Sequence, residues 1–153
     1  MDVISVKNIF FDVQVKNQKE LFGFIADKAV EASCAGDAGA VVQGFLAREK
    51  QGSTGMKAGF AIPHVKDKTV KSTTIMIAKL ADGGIPSSDW ETFDQKPVDF
   101  VIALLIPENA EAKDIKYLTT ISGKLVRAEF QTAMKAKTNA AEIFDYLKEQ
   151  LGL

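Results

Sequence analysis

The run Val98-Asp99-Phe100-Val101-Ile102-Ala103-Leu104-Leu105-Ile106 is apolar at every position except the second. A strand that is apolar on both faces is typical of a sheet covered on both sides. This run therefore predicts a central strand, which Pro107-Glu108-Asn109 would end.

Further strands and helices are predicted on either side of this run. Short apolar and β-branched runs predict strands at about residues 10–15, 60–63 and 73–80. Helical spacing of apolar residues predicts helices that begin after Asn17 and at about residues 38–50, 113–126, 129–136 and 140–151. Asn17 has the features of a helix N-cap, with Glu20 three residues later. The alternation implies a single-domain α/β layered fold over residues 1–153, with a mixed central sheet flanked by helices.

Composition limits the classes of function. The chain has 153 residues and a net charge of -1, which argues against nucleic acid as a partner. The single cysteine, Cys34, excludes an intrachain disulfide and suits a reducing cytoplasm. No stretch approaches the ~20 apolar residues of a membrane span, and the N-terminus has no signal-peptide pattern. We therefore expect a cytoplasmic protein, which could still work beside a membrane protein.

His64 is the only histidine, and it directly follows Gly59-Phe60-Ala61-Ile62-Pro63. Pro63 has a fixed φ and biases the preceding residue toward an extended conformation. The imidazole is therefore expected at the end of a short strand, on a rigid backbone. A lone histidine cannot supply a two-histidine metal site, and no Cys-x-x-Cys motif accompanies it. From these residues alone, a structural histidine is the alternative interpretation.

The order of motifs before His64 resembles one protein family. An Arg48-Glu49 pair is followed by Gly52-Ser53-Thr54-Gly55 and then by Ala61-Ile62-Pro63-His64. This order is similar to that in the IIA domains of the bacterial sugar phosphotransferase system, in the fructose/mannitol family. A looser match extends from about residue 9 to residue 147. The resemblance implies an α/β fold with a mixed sheet and a phosphoryl group carried on Nε2 of His64.

The resemblance also suggests roles around the histidine. The planar guanidinium of Arg48 can bind phosphoryl oxygens in a bidentate manner, although a cation at a helix C-terminus is the plainer interpretation. Thr54 and the amides of residues 52–55 could add neutral donors, or form an ordinary turn. Glu49 could orient Arg48 or be an exposed carboxylate. No Walker lysine motif and no acidic metal cluster are visible, so no nucleotide, Mg²⁺ or other cofactor is implied.

Two positions differ from the family pattern. Many members have a second histidine at the start of the helix after the central strand, where this chain has Asp114. Asp114 could orient the imidazole by accepting its N–H, or be a helix-start carboxylate favoured by the macrodipole. The family usually has a small residue after the phosphorylated histidine. We therefore expect Val65 to narrow the approach to the site, and Lys66 to compensate through its charge.

By resemblance, the chain would be a IIA phosphocarrier of the phosphoenolpyruvate-dependent system. His64 would accept a phosphoryl group from the carrier protein HPr and pass it to the cysteine of a IIB partner, which serves a membrane IIC permease. Cys34 lies at a helix end without a basic neighbour, so it is interpreted as a small buried residue rather than a phosphocysteine. The main alternative is a regulatory, nitrogen-type IIA-like protein that signals by phosphorylation-dependent binding. A binding module with an unphosphorylated His64 is a further alternative, and the sugar stays undetermined.

Overall fold

The computed structural model describes residues 2–153, which form a five-stranded mixed sheet with helices on both faces. The strands are β1 Ile9–Val13, β2 Phe60–Ala61, β3 His64–Asp67, β4 Thr74–Leu80 and β5 Phe100–Pro107. The helices are α1 Gln18–Glu31, α2 Ala38–Glu49, α3 Ala112–Leu125, α4 Ala128–Ala136 and α5 Ala140–Leu151. The predicted α/β architecture is confirmed.

Strand β5 lies inside the sheet, as its apolar sequence predicts. The order is β1-β4-β5, and the short strands β2 and β3 both pair with the other side of β5. The β4–β5 pair is antiparallel, whereas β1–β4, β2–β5 and β3–β5 are parallel. The sheet is therefore mixed, and β2 and β3 share one of its edges.

The alternating side chains of β5 separate two hydrophobic cores. One core contains Val101, Ala103 and Leu105 together with apolar residues of α1 and α2. The other contains Phe100, Ile102, Leu104 and Ile106 together with apolar residues of α3, α4 and α5. Both faces of β5 are consequently closed to water, which explains why its sequence lacks a polar alternation.

The edge strand is interrupted immediately before His64, which differs from the prediction. The sequence suggested one strand over residues 60–63 with the histidine at its end, but His64 is the first residue of β3. Pro63 has no N–H to donate to a ladder, so the break falls at a residue that tolerates it. The carbonyl of Pro63 still accepts a hydrogen bond from the amide of Leu104, at 3.0 Å. His64 is thereby fixed to β5 while it lies at the edge of the sheet.

Side-chain caps determine where the first two helices begin. The Asn17 side chain accepts a hydrogen bond from the amide of Glu20 at 2.9 Å, which confirms the predicted N-cap of α1. Asp37 caps α2 in the same way, through the amide of Ala40 at 3.1 Å. Helix α2 ends at Glu49, so Arg48 lies in its last turn, where the helix dipole favours a cation.

The single cysteine is buried, and the helices are short. Cys34 is 3% exposed, as expected for a small buried residue. Within residues 2–153, none of the helices has the length and apolar character needed to cross a membrane.

Candidate functional site

The hydrogen bonds of the His64 ring define its tautomer. Nδ1 lies 3.1 Å from the carbonyl oxygen of Ile62, and Nε2 lies 3.0 Å from Nε of Arg48. A carbonyl oxygen can only accept and a guanidinium can only donate, so Nδ1 carries the proton and Nε2 offers its lone pair. The structure therefore describes a neutral imidazole whose nucleophilic nitrogen is Nε2.

The surroundings of His64 also favour the neutral ring. Burial is the largest influence and lowers the pKa of His64 below its ordinary value of 6.5, because a charged imidazolium loses solvation there. The hydrogen bond to the Ile62 carbonyl opposes this by stabilising the protonated ring. The positive charge of Arg48 lowers the pKa further, and the negative charge of Glu49 raises it. A neutral ring is the form that can attack phosphorus.

Arg48 is held at the site by a second hydrogen bond. Its Nη1 donates to the carbonyl oxygen of Gly52 at 2.8 Å, while its Nε donates to His64. A guanidinium has five N–H donors in a rigid plane, so these two bonds leave further donors for the oxygens of an anion. The structure thus brings together His64, the expected phosphoacceptor, and Arg48, the residue expected to stabilise the phosphoryl group.

The side chain of Glu49 binds the loop between α2 and β2. Its Oε1 accepts from the amide of Thr54 at 3.1 Å and from Nε2 of Gln18 at 3.2 Å. Its Oε2 accepts from the hydroxyl of Thr54. The carboxylate therefore ties the turn that carries Gly52 to helices α1 and α2. The same turn carries the Gly52 carbonyl that accepts a hydrogen bond from Arg48.

Thr54 donates its hydrogen bonds to Glu49. Thr54 is 4% exposed, and both its amide and its hydroxyl donate to Glu49. Both donors are therefore engaged within the protein. The amide of Gly55 is likewise engaged by the hydroxyl of Ser53, at 3.1 Å. Gly55 itself passes close to the next loop, since an added Cβ would lie 2.1 Å from the carbonyl oxygen of Glu91.

The hydrogen bonds of Asp114 lie at the start of α3. Its carboxylate accepts a hydrogen bond from the amide of Glu111 at 3.1 Å and completes a capping box at the start of α3. The ring of His64 is oriented instead by the Ile62 carbonyl. Asp114 lines a surface cleft with Tyr117 of α3 and Phe144 of α5. The alternative interpretation, a helix-start carboxylate, describes these contacts.

Val65 points away from the approach to His64, contrary to the sequence expectation. Its side chain is 4% exposed and belongs to the core beneath α1 and α2. Successive side chains of a strand point to opposite faces, so His64 and Val65 lie on different sides of β3. Val65 therefore packs against α2 and does not narrow the approach. Lys66, the next residue, is exposed.

Sequence reasoning missed two contributors to the site. The Ile62 carbonyl is a backbone group, and no side-chain motif could reveal that it orients the imidazole. Gln18 reaches Glu49 from α1, 31 positions earlier in the chain, so no local pattern connects the two. Within residues 2–153, no group of three or more histidine, cysteine, aspartate or glutamate side chains is arranged to hold a metal ion.

Comparison with known proteins identifies the family. The family model described as phosphoenolpyruvate-dependent sugar phosphotransferase system, EIIA 2, matches residues 2–150. Because the match covers nearly the whole chain, the protein belongs to this family. The resemblance found in the Arg48–His64 block is thereby confirmed.

Individual relatives include two functional types. A nitrogen regulatory protein of Bradyrhizobium diazoefficiens is 32% identical over 146 residues, covering 95% of this chain and 92% of the relative. A fructose-like EIIA component of the phosphotransferase system of Escherichia coli K12 is 28% identical over 130 residues, covering 85% of each chain. The crystal structure of the nitrogen regulatory protein IIA-Ntr from Neisseria meningitidis superposes with a TM-score of 0.81 at 26% identity, covering 97% of this chain and 96% of that one.

Proposed function

We propose that this protein is a cytoplasmic, single-domain phosphocarrier that accepts a phosphoryl group on Nε2 of His64 from phosphorylated HPr. It passes the group to the cysteine of a IIB partner, which serves a membrane IIC permease. The observation that carries the proposal is the Arg48–His64–Ile62 arrangement. It supports an imidazole with Nδ1 protonated, Nε2 nucleophilic and a guanidinium beside the attacking atom.

The transfer follows from this tautomer. The Nε2 lone pair attacks the phosphorus of the donor phosphohistidine and forms a new N–P bond. The N–P bond of the donor breaks, and its electron pair returns to the donor nitrogen. Nδ1 of His64 keeps its proton throughout, and the ring gains positive charge that the Ile62 carbonyl stabilises. Transfer to a IIB thiolate reverses this charge change, so the ring returns to its neutral form.

Arg48 has two successive tasks in this mechanism. Before transfer its Nε–H binds the Nε2 lone pair, so this bond must break when phosphorus approaches. The guanidinium can then turn its donors toward the phosphoryl oxygens, where charge neutralisation is the main contribution a protein makes to such transfers. The bond from Nη1 to the Gly52 carbonyl keeps the group nearby during this change.

A regulatory role is the second candidate. It is favoured by the 32% identity to a nitrogen regulatory protein over 95% of this chain, which exceeds the 28% identity to the fructose-like component. Both candidates use the same phosphoacceptor, His64. They differ in what happens after phosphorylation, since a regulator would change its affinity for a binding partner instead of delivering the group to a IIB cysteine.

The test of phosphorylation uses purified enzyme I, HPr and phosphoenolpyruvate with wild type, His64→Gln and Cys34→Ser. Intact-mass spectrometry should find one acid-labile phosphoryl group on wild type and Cys34→Ser, and none on His64→Gln. Incorporation into His64→Gln at the wild-type level would refute the assignment. The purified phosphorylated protein is then mixed with IIB proteins that carry the acceptor cysteine. Loss of phosphate to a IIB protein supports the carrier role, whereas retention with all of them supports the regulatory one.

A further inference from the structure

Helix α2 approaches strand β3 closely at Gly44. A Cβ added to Gly44 would lie 2.3 Å from Cγ2 of Val65 and 3.5 Å from its Cβ. Carbon atoms in good contact lie about 3.5–4.0 Å apart, so a methyl group at position 44 requires either a new rotamer of Val65 or a shift of α2 relative to β3. Val65 is β-branched and packed in the core, and both features resist a new rotamer. With Val65 in its present rotamer, the separation of α2 from β3 therefore requires the absence of a side chain at position 44.

This contact lies next to both members of the Arg48–His64 pair. Gly44 and Arg48 are four residues apart on α2, so they share a helix face about 6 Å apart along the axis. Val65 directly follows His64 on β3. A change in the separation of helix and strand at Gly44 is consequently transmitted to the 3.0 Å bond between Nε of Arg48 and Nε2 of His64.

We propose that Gly44 is a positioning residue for phosphoryl transfer, because its contact with Val65 sets the separation of α2 from β3 at which Arg48 reaches His64. This inference rests on the proposed function at His64 and adds a determinant that lies outside the motif block from Arg48 to His64. It also gives Val65 a role, because its side chain fills the space that the absence of a side chain at Gly44 leaves between α2 and β3.

The experiment compares Gly44→Ala, Val65→Ala and the double variant with wild type. Gly23→Ala is the matched control, since it is also in a helix but an added Cβ there meets nothing within 4 Å. Two quantities are measured: the rate of phosphorylation by phosphorylated HPr, and the midpoint of the His64 titration by NMR. The titration needs no phosphoryl donor, and a role limited to stability would not change it in the folded protein.

We expect Gly44→Ala to slow phosphorylation about 10- to 100-fold, the size of effect that a misplacement of about 1 Å can have. Its His64 midpoint should rise, because both burial and the charge of Arg48 hold the pKa of the wild-type ring down. Adding Val65→Ala should restore both quantities to within about threefold of the wild-type rate and to the wild-type midpoint. Gly23→Ala should resemble wild type in both.

Wild-type behaviour of Gly44→Ala in both measurements would overturn the inference, as would a double variant that is as impaired as Gly44→Ala. If Gly44→Ala does not fold, the double variant decides: a folded protein with the wild-type midpoint supports the interlock, and an unfolded one refutes it. If even wild type is not phosphorylated, the proposed function fails, and the titration still tests the positioning of Arg48.

Discussion

Thr54→Val tests whether Glu49 organises the phosphoryl-binding loop. Valine has nearly the shape of threonine, so the substitution removes the hydroxyl that donates to Glu49 and leaves the amide bond in place. A hydrogen bond to a charged group contributes about 1.5–3 kcal/mol. Glu49 is only partly buried and keeps its bonds from the Thr54 amide and Gln18, so we expect a value around the lower end of this range, about 1–2 kcal/mol.

The measurement is the free energy of unfolding from urea titration, supported by the thermal midpoint. For a chain of this size, 1 kcal/mol corresponds to roughly 2–4 °C, so Thr54→Val should lower the midpoint by about 2–8 °C. Thr92→Val is the matched control: Thr92 is also buried, but its hydroxyl donates to the uncharged carbonyl of Lys96 at 2.9 Å. That bond should contribute less, about 0.5–1.5 kcal/mol.

A double-mutant cycle with Glu49→Gln isolates the interaction itself. The coupling free energy between positions 49 and 54 should be about 1 kcal/mol, because each single substitution removes the same charged hydrogen bond. Phosphorylation of His64 should slow in Thr54→Val as well, since the loop places the Gly52 carbonyl that binds Arg48. A stability and a rate within error of wild type would refute the reasoning that Glu49 acts through Thr54.

Three further outcomes are expected. Arg48→Lys keeps the positive charge but loses the planar donors to His64 and Gly52. Phosphorylation should therefore be slower, by up to the factor of about 10² to 10³ that is typical of a missing preorganised donor. A wild-type rate in a timed phosphorylation assay would mean that Arg48 is only a cation at a helix end. Because the folded pKa of His64 lies below the unfolded value of 6.5, the unfolded chain protonates first as pH falls, and stability is lost below that pH. Urea titrations of wild type and His64→Gln at neutral pH and at about pH 5 should differ accordingly, and parallel losses would contradict the burial effect. Asp114→Asn should leave the His64 NMR midpoint unchanged and destabilise the start of α3 by about 0.5–1 kcal/mol, whereas a shifted midpoint would place its charge at the site.

Most secondary-structure elements were predictable because their signals are local. The apolar run that became β5, the Asn17 cap of α1 and the apolar spacing of α3, α4 and α5 each depend on residues within one or two turns. The split of the edge strand into β2 and β3 was not predicted. It depends on how Pro63 and Leu104 pair across the sheet, and a single strand's own sequence does not specify that pairing.

By itself, the sequence determined the family, the mixed α/β fold, the phosphoacceptor candidate His64 and its neighbour Arg48, because a motif records which residue types occur in which order. Only the tertiary structure decided what these residues contact. It showed that Nδ1 of His64 donates to the Ile62 carbonyl and that the Thr54 donors bind Glu49. It also placed the Asp114 carboxylate at the start of α3 and the Val65 side chain beside Gly44. The physical reason is that hydrogen bonds and steric contacts act over a few ångströms, whereas their partners here come from separate elements, and packing alone brings those elements together.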